Sequence, residues 1–138
     1  MKILHVITSL RAGGAEKLMV DLLPRMKAMG AEVDLCVFDG VRTPFYEELE
    51  KKGVRIISLG TSVYSPFNIL RLLKLMRKYD VVHTHNTACQ YYAAIAGLWT
   101  KCKKITTEHN TTNRRRHLWW CYLDEWMYGQ YDKVVCIS

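Results

Sequence analysis

Lys2 to Met29 reads KILHVITSLRAGGAEKLMVDLLPRMKAM, and the rest of the chain is best read outward from it. Ile3, Leu4, Val6 and Ile7 form a short apolar run rich in β-branched residues, which suits a strand buried on both faces of a parallel sheet. A polar, glycine-bearing turn follows from Thr8 to Gly14. Beyond it, Leu18, Leu22, Leu23 and Met26 recur at helical spacing. Strand, glycine turn and helix together make an anion site: backbone N–H groups approach a phosphate, and the helix N-terminus adds a favourable dipole. Gly13 and Gly14 lack the side chains that would block that approach. The alternative is that the two glycines serve only a tight strand-to-helix turn.

The alternation continues with little slack. Glu32 to Phe38 is predicted as a second strand with Val33, Leu35 and Val37 on one face, and Gly30 before it as a helix C-cap. Pro44 opens a short helix through Lys51 that ends at Gly53. Val54 to Leu59 is the third strand. Ser65-Pro66 starts a basic amphipathic helix to Tyr79, with Ile69, Leu72, Leu73 and Met76 as its apolar stripe. Asp80 to Thr84 is the fourth strand, Ala88 to Thr100 a nearly wholly apolar helix, Lys104 to Thr107 the fifth strand and Lys133 to Ile137 the sixth. Between the last two lie a basic loop, His109 to His117, and an aromatic helix, Leu118 to Gln130. Strands alternating with helices predict an α/β, Rossmann-like, doubly wound parallel sheet covered on both faces. Ligands of such sheets bind beyond the carboxyl ends of the strands. Thr8 to Gly14, Asp39, Ser62 to Ser65, His85-Asn86 and Glu108-His109-Asn110 are therefore expected on one rim.

The 138 residues suit a single domain with a real core, and 49% apolar and 24% charged residues are ordinary for a globular chain. The net charge of +7 favours anionic partners: nucleotide phosphates, a phospholipid surface or nucleic acid. No RNA- or DNA-reading motif accompanies it, so nucleic acid is not expected. Six Lys/Arg against one Glu crowd the window from Lys101 to His117. The five cysteines form no CxxC pair and read as reduced, mostly buried thiols of a cytoplasmic protein. The N-terminus enters a strand within two residues, unlike a signal peptide, and the longest apolar run, Tyr91 to Trp99, is too short to span a bilayer.

Four constellations carry candidate chemistry. His83 and His85 lie two apart on a strand, so their side chains share a face. They could bind zinc given a third ligand, for which His109 or Glu108 is at hand. The favoured reading is instead one packed, hydrogen-bonded histidine and one rim histidine, with no metal. His109 ends the fifth strand, where it could donate to a sugar hydroxyl or phosphate oxygen or move a proton near neutral pH; it could also simply close the strand. Asp39 stands where a dinucleotide enzyme holds its ribose, but LRAGGAE is not GxGxxG. Arg114, Arg115 and Arg116 precede Trp119, Trp120, Tyr122, Trp126 and Tyr128. That pairing suits an anionic membrane interface, a solvated loop before a packed helix, or a contact surface for another domain.

Taken together, KILHVITSLRAGGAEKLMVDL, DVVHTHN, KKITTEHN and DKVVCIS resemble, in order and separation across essentially the whole chain, the N-terminal half of a GT-B glycosyltransferase of the retaining family 4 type. The resemblance implies two Rossmann-like domains facing each other across a cleft, the N-terminal one receiving the acceptor and the C-terminal one holding most of the nucleotide-sugar. It implies that Gly13 and Gly14 bring amides to the donor pyrophosphate, that His109 contacts the transferring sugar as the catalytic residue, and that His85 and Asn86 line the cleft. Arg114 to Arg116 would lie on the side of a lipid-phosphate acceptor or anionic lipid. No metal or other cofactor is implied beyond the nucleotide-sugar substrate.

The chain stops at Ser138, short of the rest of the family pattern, so a truncated acceptor-side domain without its C-terminal donor-binding domain is expected. Alone it should bind nucleotide-sugar weakly and be inactive. The implied setting is synthesis of surface polysaccharide or glycolipid, in the cytoplasm or peripherally at the inner membrane face. The bared surface invites self-association. Two other readings stand beside this one: a non-catalytic sugar- or phosphate-binding module, and a metal-dependent hydrolase built on His83 and His85.

Overall fold

The computed structural model describes residues 2–8, 14–38, 42–59, 66–85, 87–108, 126 and 129–136. Its elements are β1 (Lys2–Ile7), α1 (Gly14–Ala28), β2 (Glu32–Val37), α2 (Pro44–Lys51), β3 (Arg55–Ser58), α3 (Phe67–Met76), β4 (Val81–Thr84), α4 (Thr87–Ala96), a 3-10 turn (Gly97–Trp99), β5 (Lys103–Glu108) and β6 (Lys133–Cys136). The basic loop 109–117 and most of the aromatic helix expected over 118–130 lie outside the described residues.

All the strand pairings are parallel, and the order is β3-β2-β1-β4-β5-β6. This is the doubly wound Rossmann order, in which the chain builds outward from β1 in one direction and then, from β4, in the other. Alternating side chains divide the core into two layers. Leu4, Val6, Cys36, Phe38 and Val82 pack on Leu72 and Met76 of α3 and on Cys89, Ala93 and Ala96 of α4. Ile7, Val33, Leu35 and Val37 pack on Met19, Val20 and Leu23 of α1 and on Tyr46 and Leu49 of α2. The α1 stripe differs from expectation. Of the four positions read from spacing, only Leu23 is fully buried, while Leu18, Leu22 and Met26 flank a centre at Met19, Val20 and Leu23. Periodicity fixes the stripe's angle only to within a residue, and contact with the sheet selects among its neighbours.

The helix stops fell where glycine placed them. Gly30 (φ 92°) and Gly53 (φ 82°) adopt the left-handed conformation that only glycine takes without strain. At each, the glycine N–H bonds three residues back and the next N–H five back: Gly30 to Lys27 O and Ala31 to Met26 O, then Gly53 to Glu50 O and Val54 to Leu49 O. These are two Schellman caps, and the second engages the Val54 amide, so β3 begins at Arg55 rather than Val54. At the N-terminus of α2, Thr43 Oγ1 accepts from the Tyr46 N–H.

A Tyr-Asp pair precedes both β4 and β6, and each Asp clamps the neighbouring strand. The Asp80 carboxylate accepts from the Lys2 N–H at 2.7 Å, and that of Asp132 from the Lys104 N–H at 2.8 Å. The Asp80 and Asp132 N–H groups donate back to Lys2 O and Lys104 O. The tyrosines are anchored too: Tyr79 donates to Asp34, and Tyr131 to Gln90 O at 2.6 Å.

Candidate functional site

Because the sheet is parallel, Ile7, Val37, Ser58, Thr84 and Glu108 all end their strands at one edge. The Thr8 and Val37 carbonyls and the Val6 carbonyl tie this edge together, accepting from Phe38, Leu59 and His85 N–H respectively. The chain leaves β1, and α1 starts at Gly14 on the same edge, with its first-turn N–H groups free of intrahelical partners. Glu16 lies in that first turn, where its charge offsets the helix dipole. The crevice outside β1 and β4, where the strand order reverses, is the ligand position of doubly wound sheets.

Among the described residues, β1 and β4 bring three imidazoles together. His5 stands opposite His83 in the β1–β4 register, and His85 follows two residues on, so all three occupy one face. Ring centroids are 5.1 Å apart for His5–His83, 5.2 Å for His5–His85 and 4.3 Å for His83–His85. His5 Nδ1 and His85 Nε2 share a hydrogen bond at 3.0 Å, and His83 Nε2 is bonded to the Thr107 hydroxyl. His5 Nε2 is buried and meets no hydrogen-bond partner among the described residues. Burial, and then the adjacent His83, hold the His5 imidazole down at about 3, so the ring is neutral at physiological pH.

The expected site residues divide accordingly. Gly14 heads α1 at the carboxyl edge. His85 is at that edge, but its ring is 3% exposed and packed in the imidazole cluster. Gly13, Asp39, Asn86, His109, Arg114, Arg115 and Arg116 lie outside the described residues. The expectation for the HxH pair, one packed and one rim histidine, is corrected: both join a cluster. The third imidazole comes from His5, eighty residues away from His85, while the expected third ligands, His109 and the Glu108 side chain, lie outside the described residues. No local spacing flags His5; only the adjacency of β1 and β4 does.

The three described thiols are held protonated. Cys36, Cys89 and Cys102 are free and buried, and burial pushes Cys36 up to about 12 and Cys102 to about 11. Among the described residues no helix is long and apolar enough to cross a membrane.

A doubly wound parallel sheet with a glycine-led helix at its switch point defines the class of Rossmann-like α/β domains. Comparison narrows the class. The family model Glycosyltransferase Family 4 matches residues 12–138, and the chain belongs to that family. No curated protein matches it in sequence. Among solved structures, a glycosyltransferase from Rickettsia africae ESF-5 is 27% identical, with a TM-score of 0.75 over 99% of this chain and 36% of its own. Anabaena Alr3699/HepE, in complex with UDP and glucose, is 15% identical with a TM-score of 0.77 over 97% of this chain and 37% of its own. UDP-GlcNAc 2-epimerase from Neisseria meningitidis, bound to UDP-GlcNAc, is 18% identical with a TM-score of 0.65 over 95% and 39%. The latter two share the fold. The chain spans little more than a third of the length of these proteins and corresponds to the Rossmann-like N-terminal half of the GT-B fold.

Proposed function

We propose that this chain is the acceptor-side domain of a retaining glycosyltransferase, which moves a sugar from a nucleotide-sugar donor to a glycan or lipid-linked acceptor. The observation that carries the reading is the placement of the α1 N-terminus at the same sheet edge as the ends of β4 and β5. A diphosphate at the start of α1 then lies beside whatever follows Thr84 and Glu108. Gly13 and Gly14 supply amides to the donor diphosphate. His109, directly after β5, contacts the transferring sugar. His85 supports the cleft from beneath, and Asn86 contacts the sugar or acceptor.

Transfer breaks the sugar–phosphate bond, leaving an oxocarbenium-like centre and a diphosphate. Donors already aimed at the diphosphate lower that barrier without reorganising, and the step needs no metal ion. Arg114, Arg115 and Arg116 face an anionic acceptor or lipid headgroup, consistent with the +7 charge and peripheral attachment to a membrane. A second, donor-binding domain completes the cleft. The domain alone binds donor weakly, turns over nothing measurable, and self-associates through the face that domain would cover.

The solved relatives that hold UDP or UDP-GlcNAc make uridine nucleotides the first donors to test. Calorimetric titration of UDP and several UDP-sugars into this chain should give weak, saturable binding that His109→Ala weakens for UDP-sugars more than for UDP. Equal weakening, or no binding by the wild type, overturns the reading, as does sugar transfer by this chain alone.

A further inference from the structure

We propose that His5, His83 and His85 form a site for one divalent transition-metal ion, zinc by preference, held beneath the cleft rather than at the transfer centre. Imidazole nitrogen is the ligand type that suits zinc, copper and nickel. One ligand nitrogen from each ring already lies within 4.8 Å of the other two, without any metal to draw them together. The His5 Nδ1 to His85 Nε2 spacing, 3.0 Å, is close to the roughly 3.3 Å that two nitrogens span on a tetrahedral ion with bonds of about 2.0–2.1 Å. The third ring closes onto the same centre by side-chain rotation.

Two features fit the ion rather than a merely packed cluster. The backbone does the positioning: the β1–β4 register sets His5 against His83, and the strand repeat returns His85 to the same face, so three rings converge on rigid elements. The second shell is present, because the Thr107 hydroxyl bonded to His83 Nε2 fixes that ring's orientation. Three neutral rings leave the fourth position of a tetrahedral ion for water or an anion. His83, the least buried of the three, provides the entry side. The ion would brace β1 against β4 where the strand order reverses.

Cobalt is the probe. Metal-free protein titrated with Co2+ is expected to take up one ion per chain, with the visible absorption of a low-symmetry nitrogen site and without the near-ultraviolet band of thiolate ligation. Zn2+ should abolish the colour and raise the melting temperature, and a chelator should reverse both. His83→Asn and His85→Asn should each weaken uptake by roughly tenfold or more. His5→Asn is at risk of misfolding because His5 itself is buried, so the partly exposed His83 carries the test. Failure to saturate with Co2+, thiolate absorption, or undiminished uptake by a His83→Asn/His85→Asn double variant would overturn the proposal. None of these readouts depends on nucleotide-sugar binding.

Discussion

The Tyr79 hydroxyl donates to the Asp34 carboxylate, fastening the segment after α3 to the second strand. Burial first, and then this bond, raise the Tyr79 pKa above its ordinary 10. The folded state therefore holds the phenolic proton more tightly than the unfolded chain does. The resulting stability is fully present below pH 10 and is lost as pH rises beyond it. Tyr79→Phe should lower unfolding free energy by about 1 kcal/mol at neutral pH. Urea midpoints followed upward through the tyrosine range should fall more steeply in wild type than in the variant. Parallel curves would show that the bond is not made in solution.

The two positive-φ glycines give an independent test of the caps. Gly30 has open space around a would-be Cβ, and at Gly53 the nearest atom is Lys27 Nζ at 3.8 Å. An alanine at either position meets no steric obstacle beyond its own backbone. Each substitution should then destabilise by about 1 kcal/mol, with the two effects additive. Asparagine, which tolerates the left-handed region better, should recover part of the loss at both positions.

Asp80 and Asp132 should prove interchangeable in role. Truncating either to alanine removes a carboxylate acceptor from one backbone N–H and should lower stability by about 1 kcal/mol. Hydrogen exchange locates the effect: Asp132→Ala should speed exchange of the Lys104 amide and leave the Lys2 amide alone, while Asp80→Ala should do the reverse.

Helix α3 offers a contrast within one turn. Leu72 is fully buried between the sheet and α4, whereas Leu70 is 57% exposed. Leu72→Ala should cost about 2–5 kcal/mol, and Leu70→Ala should stay within about 0.5 kcal/mol. Comparable losses at the two positions would mean that α3 is rotated about its axis.

The sheet was legible in the sequence because its signals are local. Apolar runs of four to six residues, punctuated by Gly30, Gly53 and Pro44, announced strands and helices near their observed limits. That the strands end at one shared edge followed from parallel order alone, while most residues expected on that rim lie outside the described residues. The histidine cluster was less legible. His5 interrupts an otherwise apolar strand and carries no spacing signal, so its meaning emerges only when β1 and β4 become neighbours and their register is known. The Tyr-Asp clamps were hidden for the same reason: each Asp acts on a strand that precedes it in sequence by 28 or 78 residues. Met19 and Val20 of α1 were missed by one and two positions, since a helix's own period does not say which neighbour the sheet will meet.

Both glycine caps, both aspartate clamps and the Tyr79–Asp34 bond sit where strands begin, opposite the carboxyl edge at which doubly wound sheets in general receive ligands. A scaffold partitioned this way can change its substrate without renegotiating its architecture. Loops at the receiving end are at liberty to lengthen, shrink or be exchanged between relatives, while the fastenings at the far end keep every strand in step.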